Sequence, residues 1–326
     1  MKTLVTGTTG FIGSALVREL IDDGRRVKVL VRPHADTRNI DDLDVERVCG
    51  DLRDKDSLER ALNGCDVLYH TAAYYSLWDR DKKTIYDINV AGTRNILEAA
   101  AGLRKVVYTS TVGCIGLNGN GVPGNERTPF DPALLCNDYK RSKYQAEQAA
   151  RESCEKGLPL VIVNPAAPVG PRDLKPTPTG KIILDFLKRK MPAYLDTGLN
   201  LIDVKDCARG HILAEKKGTP GERYILGNRN LSLREILLTL EKITGLKAPG
   251  IKMPYWAAYA AGWICETMAD YFTGQPPAVP LGGVKMAKHH MYFDSSKAVR
   301  ELGLPQNAVE NALEGAVRWF KDNNYV

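Results

Sequence analysis

The sequence predicts an α/β chain, a doubly wound parallel sheet followed by a smaller C-terminal domain, and three observations predict it. Short apolar runs alternate with amphipathic segments from residue 2 to residue 163, the pattern of strands and covering helices in a parallel sheet. A glycine-rich turn, Thr6-Gly7-Thr8-Thr9-Gly10-Phe11-Ile12-Gly13, joins the first run to the first amphipathic segment. From Pro165 onward the alternation breaks, and Pro165, Pro168, Pro171, Pro176 and Pro178 force extended backbone.

In chain order, strands are expected at 2–6, 26–31, 45–49, 67–69, 105–109 and 158–163, with helices at 11–23, 57–63, 84–101 and 139–156 where apolar residues recur near helical spacing. Right-handed crossovers wind these into a nucleotide-binding (Rossmann) sheet, whose ligands gather at the carboxyl ends of the strands. In the first turn, Gly7 lets the chain reverse, Gly10 removes a side chain where a pyrophosphate approaches, and Gly13 lets helix pack on strand. The phosphates would sit on unpaired N–H groups at the helix start, so Gly7, Thr9, Gly10, Phe11 and Ile12 are candidate cofactor contacts.

The residues just after each later strand extend the candidate site. Arg32 stands about 20 residues past the glycine turn, where an NAD-specific fold puts an acidic residue. Its guanidinium suits a 2′-phosphate, which favours NADP(H), with NAD(H) as the alternative. Asp51, followed by Leu52, could accept from the adenine amino group or cap the next helix. His70 is read as packed, and Thr71, Ala72 and Ala73 keep side chains small beside the cofactor. Tyr108-Thr109-Ser110-Thr111 ends the fifth strand in hydroxyls. Tyr139 and Lys143, four apart, share a helix face, and an adjacent ammonium favours ionisation of a phenol that alone titrates near pH ~10.

Composition bounds the classes. The 326 residues suffice for one large domain or two ordinary ones. A net charge of +6 from 45 basic and 39 acidic residues is too mild to argue for nucleic acid. Seven cysteines without C-x-x-C pairs fit a reducing compartment, and five histidines without ligand spacing argue against a metal site. The N-terminal residues lack a signal-peptide h-region, so a cytoplasmic location is expected. The apolar stretch 253–272 is interrupted by Gly262, Glu266 and Asp270, which argues against a spanning helix and leaves a helix on the pocket or on a membrane surface. Its residues Tyr255, Trp256, Tyr259, Trp263 and Met268 are read as core.

Taken together, T-G-T-T-G-F-I-G, Gly50-Asp51-Leu52, Asn89-Val90-Ala91-Gly92-Thr93, Thr109-Ser110-Thr111, Tyr139 with Lys143, Asn164-Pro165 and Asp203-Val204-Lys205-Asp206 resemble an extended short-chain dehydrogenase/reductase nearly end to end. Within that superfamily the chain is similar to the dihydroflavonol 4-reductase-like group, and closest to the hopanoid-associated sugar epimerases, through 163–173, 175–180 and 196–201. The resemblance implies an NAD(P)-dependent enzyme with Tyr139 as acid/base. It implies that Lys143 binds the nicotinamide ribose and lowers the tyrosine's pKa, that Thr111 hydrogen-bonds the reacting oxygen, and that Pro165 borders the cofactor. It also implies a homodimer through the helices 84–101 and 139–156. Many relatives have serine at Thr111, with Ser110 next door here.

Nucleotide-sugar epimerases of the superfamily bring arginines to the substrate pyrophosphate, yet Leu199 stands at the first such position, and 286–293 offers Lys288 but no arginine. The reading is therefore a hydride-transferring reductase of a fairly apolar ketone or alcohol. The alternatives are a redox-neutral sugar epimerase or dehydratase and a non-catalytic cofactor sensor. Candidate substrate contacts are Tyr75, Asn164, Arg172 and Lys175. The expected division is a dinucleotide-binding domain at 1–166, rejoined by 199–226, and a mainly substrate-binding domain at 167–326, whose helices fall at 180–190, 232–244, 254–272 and 307–323.

Overall fold

The computed structural model describes residues 1–78, 82–119 and 121–326. The first half runs β1 (Lys2–Thr6), α1 (Phe11–Asp22), β2 (Arg26–Val31), β3 (Glu46–Cys49), α2 (Lys55–Leu62), β4 (Val67–His70), α3 (Lys82–Tyr86), a π-helical turn (Asp87–Ala91), α4 (Gly92–Ala99), β5 (Lys105–Thr109), α5 (Asp138–Glu155) and β6 (Leu160–Pro165). The second runs β7 (Ala167–Val169), α6 (Pro178–Leu187), β8 (Tyr194–Leu195), β9 (Gly198–Asp203), α7 (Val204–Lys217), β10 (Arg223–Leu226), β11 (Arg229–Ser232), α8 (Leu233–Thr244), β12 (Lys252–Met253), α9 (Tyr255–Met268), α10 (Leu281–Met286), β13 (His290–Met291), α11 (Ser296–Leu302) and α12 (Val309–Asp322).

Seven strands form one parallel sheet in the order β10-β6-β5-β4-β1-β2-β3. Its strands are continuously apolar because both faces are covered. Val5, Val29, Tyr69, Val107 and Val161 pack on α1 and α7, whereas Leu4, Leu30, Leu68, Val106 and Ile162 pack on α2, α4 and α5. Strand order reverses between β1 and β4, which opens a crevice at their carboxyl ends. A four-stranded sheet of β11, β9, β13 and β7 carries the second unit, whose core includes Leu184, Phe186, Leu201, Ile236, Leu240, Leu313 and Phe320.

Three elements differ from the sequence reading for physical reasons. β6 begins at Leu160, after Pro159, and runs on to Pro165 because Asn164 and Pro165 pair with Ile225 and Leu226 of β10. The helix expected at 84–101 is interrupted by the π-helical turn, such turns being frequent at functional sites. α9 ends at Met268, and the rest of the 254–272 stretch forms a second π-helical turn, Ala269–Thr273. Its aromatic stripe is not core: Trp256 is 74% exposed and Trp263 57%. The side facing the protein is made by Ala258 and Gly262, because α10 approaches too closely for large side chains. No helix among the described residues is long and apolar enough to cross a membrane.

Candidate active site

The glycine turn is built as a bare cradle. Gly7 has φ +72°, and a Cβ there would lie 2.6 Å from Ala72 N, so β1 and the segment after β4 touch backbone to backbone. Thr71 Oγ1 donates to Thr6 O at 2.5 Å and Ala72 N to Thr6 Oγ1 at 3.2 Å. Gly10 is exposed and caps α1 without a side-chain bond, and the first turn of α1 carries no acid. The helix therefore presents unsatisfied N–H groups and the positive end of its dipole, which fits the diphosphate of a dinucleotide.

Beyond β2 and β3, Arg32 is exposed. Asp51 is not a helix cap, since α2 is capped by Asp54, whose Oδ1 accepts from Ser57 N. Instead Arg53 donates to both Asp51 oxygens at 2.9 Å, and Arg53, with a smaller contribution from Arg32, holds that carboxyl below its usual range. Arg53 was not among the sequence candidates; its signal is the Asp-x-Arg spacing. Leu52 is buried beneath, against Gly92 of α4.

The candidate catalytic residues converge between β5 and α5. Asn137 caps α5 by accepting from Lys140 N at 2.8 Å, which sets Tyr139 in the first turn, Lys143 in the second and Glu147 in the third. Ser110 is taken: its hydroxyl is buried and donates to Glu147 Oε2 at 2.6 Å. Thr111 Oγ1 accepts from Gly113 N at 3.1 Å, which leaves its own proton free to donate. Asn164 Nδ2 donates to Thr111 O and to Glu147 Oε2, both at 2.9 Å. Arg151 and Arg223 approach Glu147 Oε1 at 3.1 and 3.3 Å. Glu147 escaped the sequence reading, although its spacing from Lys143 repeats that of Lys143 from Tyr139.

One expectation needs correction. Lys143 Nζ donates to Thr109 O at 2.9 Å and to Tyr108 Oη at 3.2 Å, not to Tyr139. Burial lowers its pKa to about 8. Burial also pushes the Tyr139 phenol up, so that it is protonated at neutral pH. Tyr75 meets the Tyr139 ring edge-on at 4.5 Å.

The other expected substrate contacts lie elsewhere. Asn164 is fully buried behind Thr111. Arg172 has φ +73°, and its Nη2 meets Asp42 Oδ2 at 3.1 Å. Asn39 Nδ2 bridges Arg172 O and Thr9 O, at 3.3 and 3.2 Å. The strained turn thus swings Arg172 over the glycine loop, while Lys175 is exposed; the Asp36 carboxyl after β2 is held low by the hydrogen bonds of Arg38. Pro165 ends β6 beside Asn164.

His70 is buried, with Nδ1 on Thr6 Oγ1 at 2.8 Å and Nε2 on Thr93 Oγ1 at 3.2 Å. Because the Thr93 proton goes to Asn89 O, Nε2 carries the ring proton. Burial lowers its pKa to about 3, which keeps it neutral. Asn89, in the π-helical turn, accepts from Tyr74 N at 2.7 Å and donates to Tyr74 O and Ser142 Oγ at 2.9 Å, clamping the 71–78 segment to α5.

Residues 3–227 match the NAD dependent epimerase/dehydratase family. The chain belongs to that family. It is a nicotinamide-dependent enzyme, and the cradle and hydroxyl set described above are where such chemistry would be held. It is 49% identical to a Synechocystis sp. protein described as a candidate dihydroflavonol 4-reductase, over 99% of this chain and 95% of that one. Sterol demethylase protein B of Methylococcus capsulatus is 36% identical, with 100% of both chains covered. Among solved structures, gox2253 superposes with a TM-score of 0.88 at 44% identity, covering 99% of each chain.

Within this family member, a cavity of about 400 Å³ lies in the second unit, lined by Leu195, Met253, Pro254, Tyr255 and Ala287 with Asp196, Lys252 and Lys288 at its wall. Lys252 is tied to Asp196 at 2.7 Å. Among the described residues no group of three His, Cys, Asp or Glu side chains could hold a metal ion.

Proposed function

We propose that this enzyme is an NADPH-dependent reductase that takes a fairly apolar ketone to a secondary alcohol. The observation that carries the reading is where the cations go. Arg172, which could have replaced an arginine of a nucleotide-sugar site, is paired with Asp42 in the loop after β2, and five of the eight residues lining the cavity in the second unit, Leu195, Met253, Pro254, Tyr255 and Ala287, are apolar or aromatic. An apolar wall has little to offer a diphosphate. The relative named for a sterol reaction is consistent with such a substrate. NADPH is favoured over NADH by Arg32, with Arg53 beside it, in place of an acidic residue.

A nicotinamide held by the glycine cradle and Lys143 would supply a hydride for the carbonyl carbon. Tyr139 Oη gives its proton to the carbonyl oxygen, a role suited to a phenol that burial keeps protonated. The free hydroxyl proton of Thr111 donates to the same oxygen, and the Lys143 ammonium, with one donor beyond its two bonds to β5, is available to a ribose hydroxyl. Tyr139→Phe should retain cofactor binding and lose roughly 10²- to 10⁴-fold in turnover, read by absorbance of the reduced nicotinamide across a ketone panel. Full turnover by that variant would remove Tyr139 from the mechanism. Titration should give tighter NADPH than NADH, a preference that Arg32→Ala abolishes; tighter NADH, unchanged in the variant, would refute the 2′-phosphate reading. A nucleotide-sugar epimerase is the second reading, supported by Lys252 and Lys288 in the cavity wall. It predicts redox-neutral conversion with retained cofactor.

A further inference from the structure

α9 faces the protein with its smallest residues. A Cβ on Gly262 would sit 3.2 Å from Val284 Cγ2 and 3.4 Å from Leu281 Cα of α10. The large side chains are on the outside: Trp256, Tyr259, Trp263, Ile264 and Met268, then Tyr271 and Phe272, each 81% exposed, in the π-helical turn that follows. They recur at three- and four-residue steps and so form one continuous stripe. A contiguous apolar surface of this kind marks an interaction site.

The charge along this stretch is predominantly basic, although Lys252 is paired with Asp196. Residues 242–290 hold five lysines, Lys242, Lys247, Lys252, Lys285 and Lys288, against two acids, Glu266 and Asp270. Glu266 is turned toward the protein by Leu281 N at 2.9 Å, and Asp270, though exposed, accepts from Trp78 Nε1 at 2.7 Å. An aromatic stripe with a basic surround is complementary to the headgroup layer and phosphates of an anionic bilayer. A second copy is a poor occupant, since a two-fold interface would bring two predominantly basic surfaces together.

We propose that the outer face of α9 and the π-helical turn after it docks on an anionic lipid surface, lying on it without crossing. The docked face adjoins the candidate active site. Trp78 reaches Asp270 from the segment that carries Tyr75, and a Cβ on Gly282 of α10 would lie 3.5 Å from Asn137 Cβ, the cap two residues before Tyr139. The proposal stands whatever the substrate is.

The test is flotation of the full-length protein with vesicles of phosphatidylcholine alone or mixed with phosphatidylglycerol, beside sedimentation without lipid. The protein should float with the mixed vesicles and far less with the neutral ones. Trp256→Ser, Trp263→Ser and Phe272→Ser should each weaken partition at least roughly tenfold, with melting temperature and cofactor binding unchanged. Lys247→Gln and Lys285→Gln should each weaken it roughly fivefold. Failure of the unaltered chain to float, or equal flotation of the aromatic variants, overturns the proposal. So does a lipid-free dimer that the aromatic variants convert to monomer, because the face then belongs to a second copy.

Discussion

Ser110 gives its hydroxyl proton to Glu147 Oε2, and Asn164 divides its amide between that oxygen and the Thr111 carbonyl, so one buried carboxylate fixes the strand end from which Thr111 projects. On the proposed mechanism Glu147 is a positioning residue. Glu147→Gln would turn an amide N–H toward either the Asn164 donor or the arginines. Turnover should fall by up to about 100-fold through misplacement of Thr111, with the cofactor dissociation constant unchanged, since Glu147 touches nothing in the glycine cradle. Parallel loss of cofactor binding would mean general damage to the fold instead. At this scale the sequence reveals which residues share a helix face, which is why Tyr139 and Lys143 are legible. It does not reveal depth: Lys143 is sunk to the level of the Thr109 carbonyl, and Arg172 is carried to Asp42 by a left-handed turn that composition does not announce.

Elements are legible where burial dictates the pattern and obscure where close approach does. All six strands expected from apolar runs are present, because a sheet covered on both sides leaves its strands no other composition. The break between α3 and α4 is written in no periodicity; it coincides with Asn89, whose amide bonds the Tyr74 backbone and Ser142. Asn89→Ala should free the 71–78 segment, raising the cofactor dissociation constant and the KM, and lower stability by about 1–3 kcal/mol through the buried groups left unpaired. Calorimetric titration together with thermal melts checks it, and unchanged cofactor binding would show that the clamp does not hold the site. α9 misleads in the opposite sense. Its aromatics read as core by type, but Gly262 against α10 decides which side faces inward.

The whole molecule should weaken in acid. His70 and His211 are fully buried, with pKa values held at about 3 and about 4, so below about pH 6.5 the unfolded chain binds protons that the folded one refuses. Stability is present above that value and is lost as pH falls, by about 1.4 kcal/mol per unit for each histidine. Asp173, raised to about 6 by burial, binds its proton first in the folded state and offsets part of the loss between about pH 6 and 4. His211→Gln should flatten the fall of melting temperature between pH 6.5 and 4.5, and a variant with the unaltered slope would sink this account. The order of strands also bears on how the chain is made. β10 pairs with β6, yet β7, α6, β8, β9 and α7 are synthesised between them. Until Leu226 leaves the ribosome, β6 is an open edge able to pair with another chain. Arg223, which braces Glu147 beneath Thr111, arrives on the same late strand, so the nascent protein has neither a closed sheet nor a braced active site until its second unit is largely built.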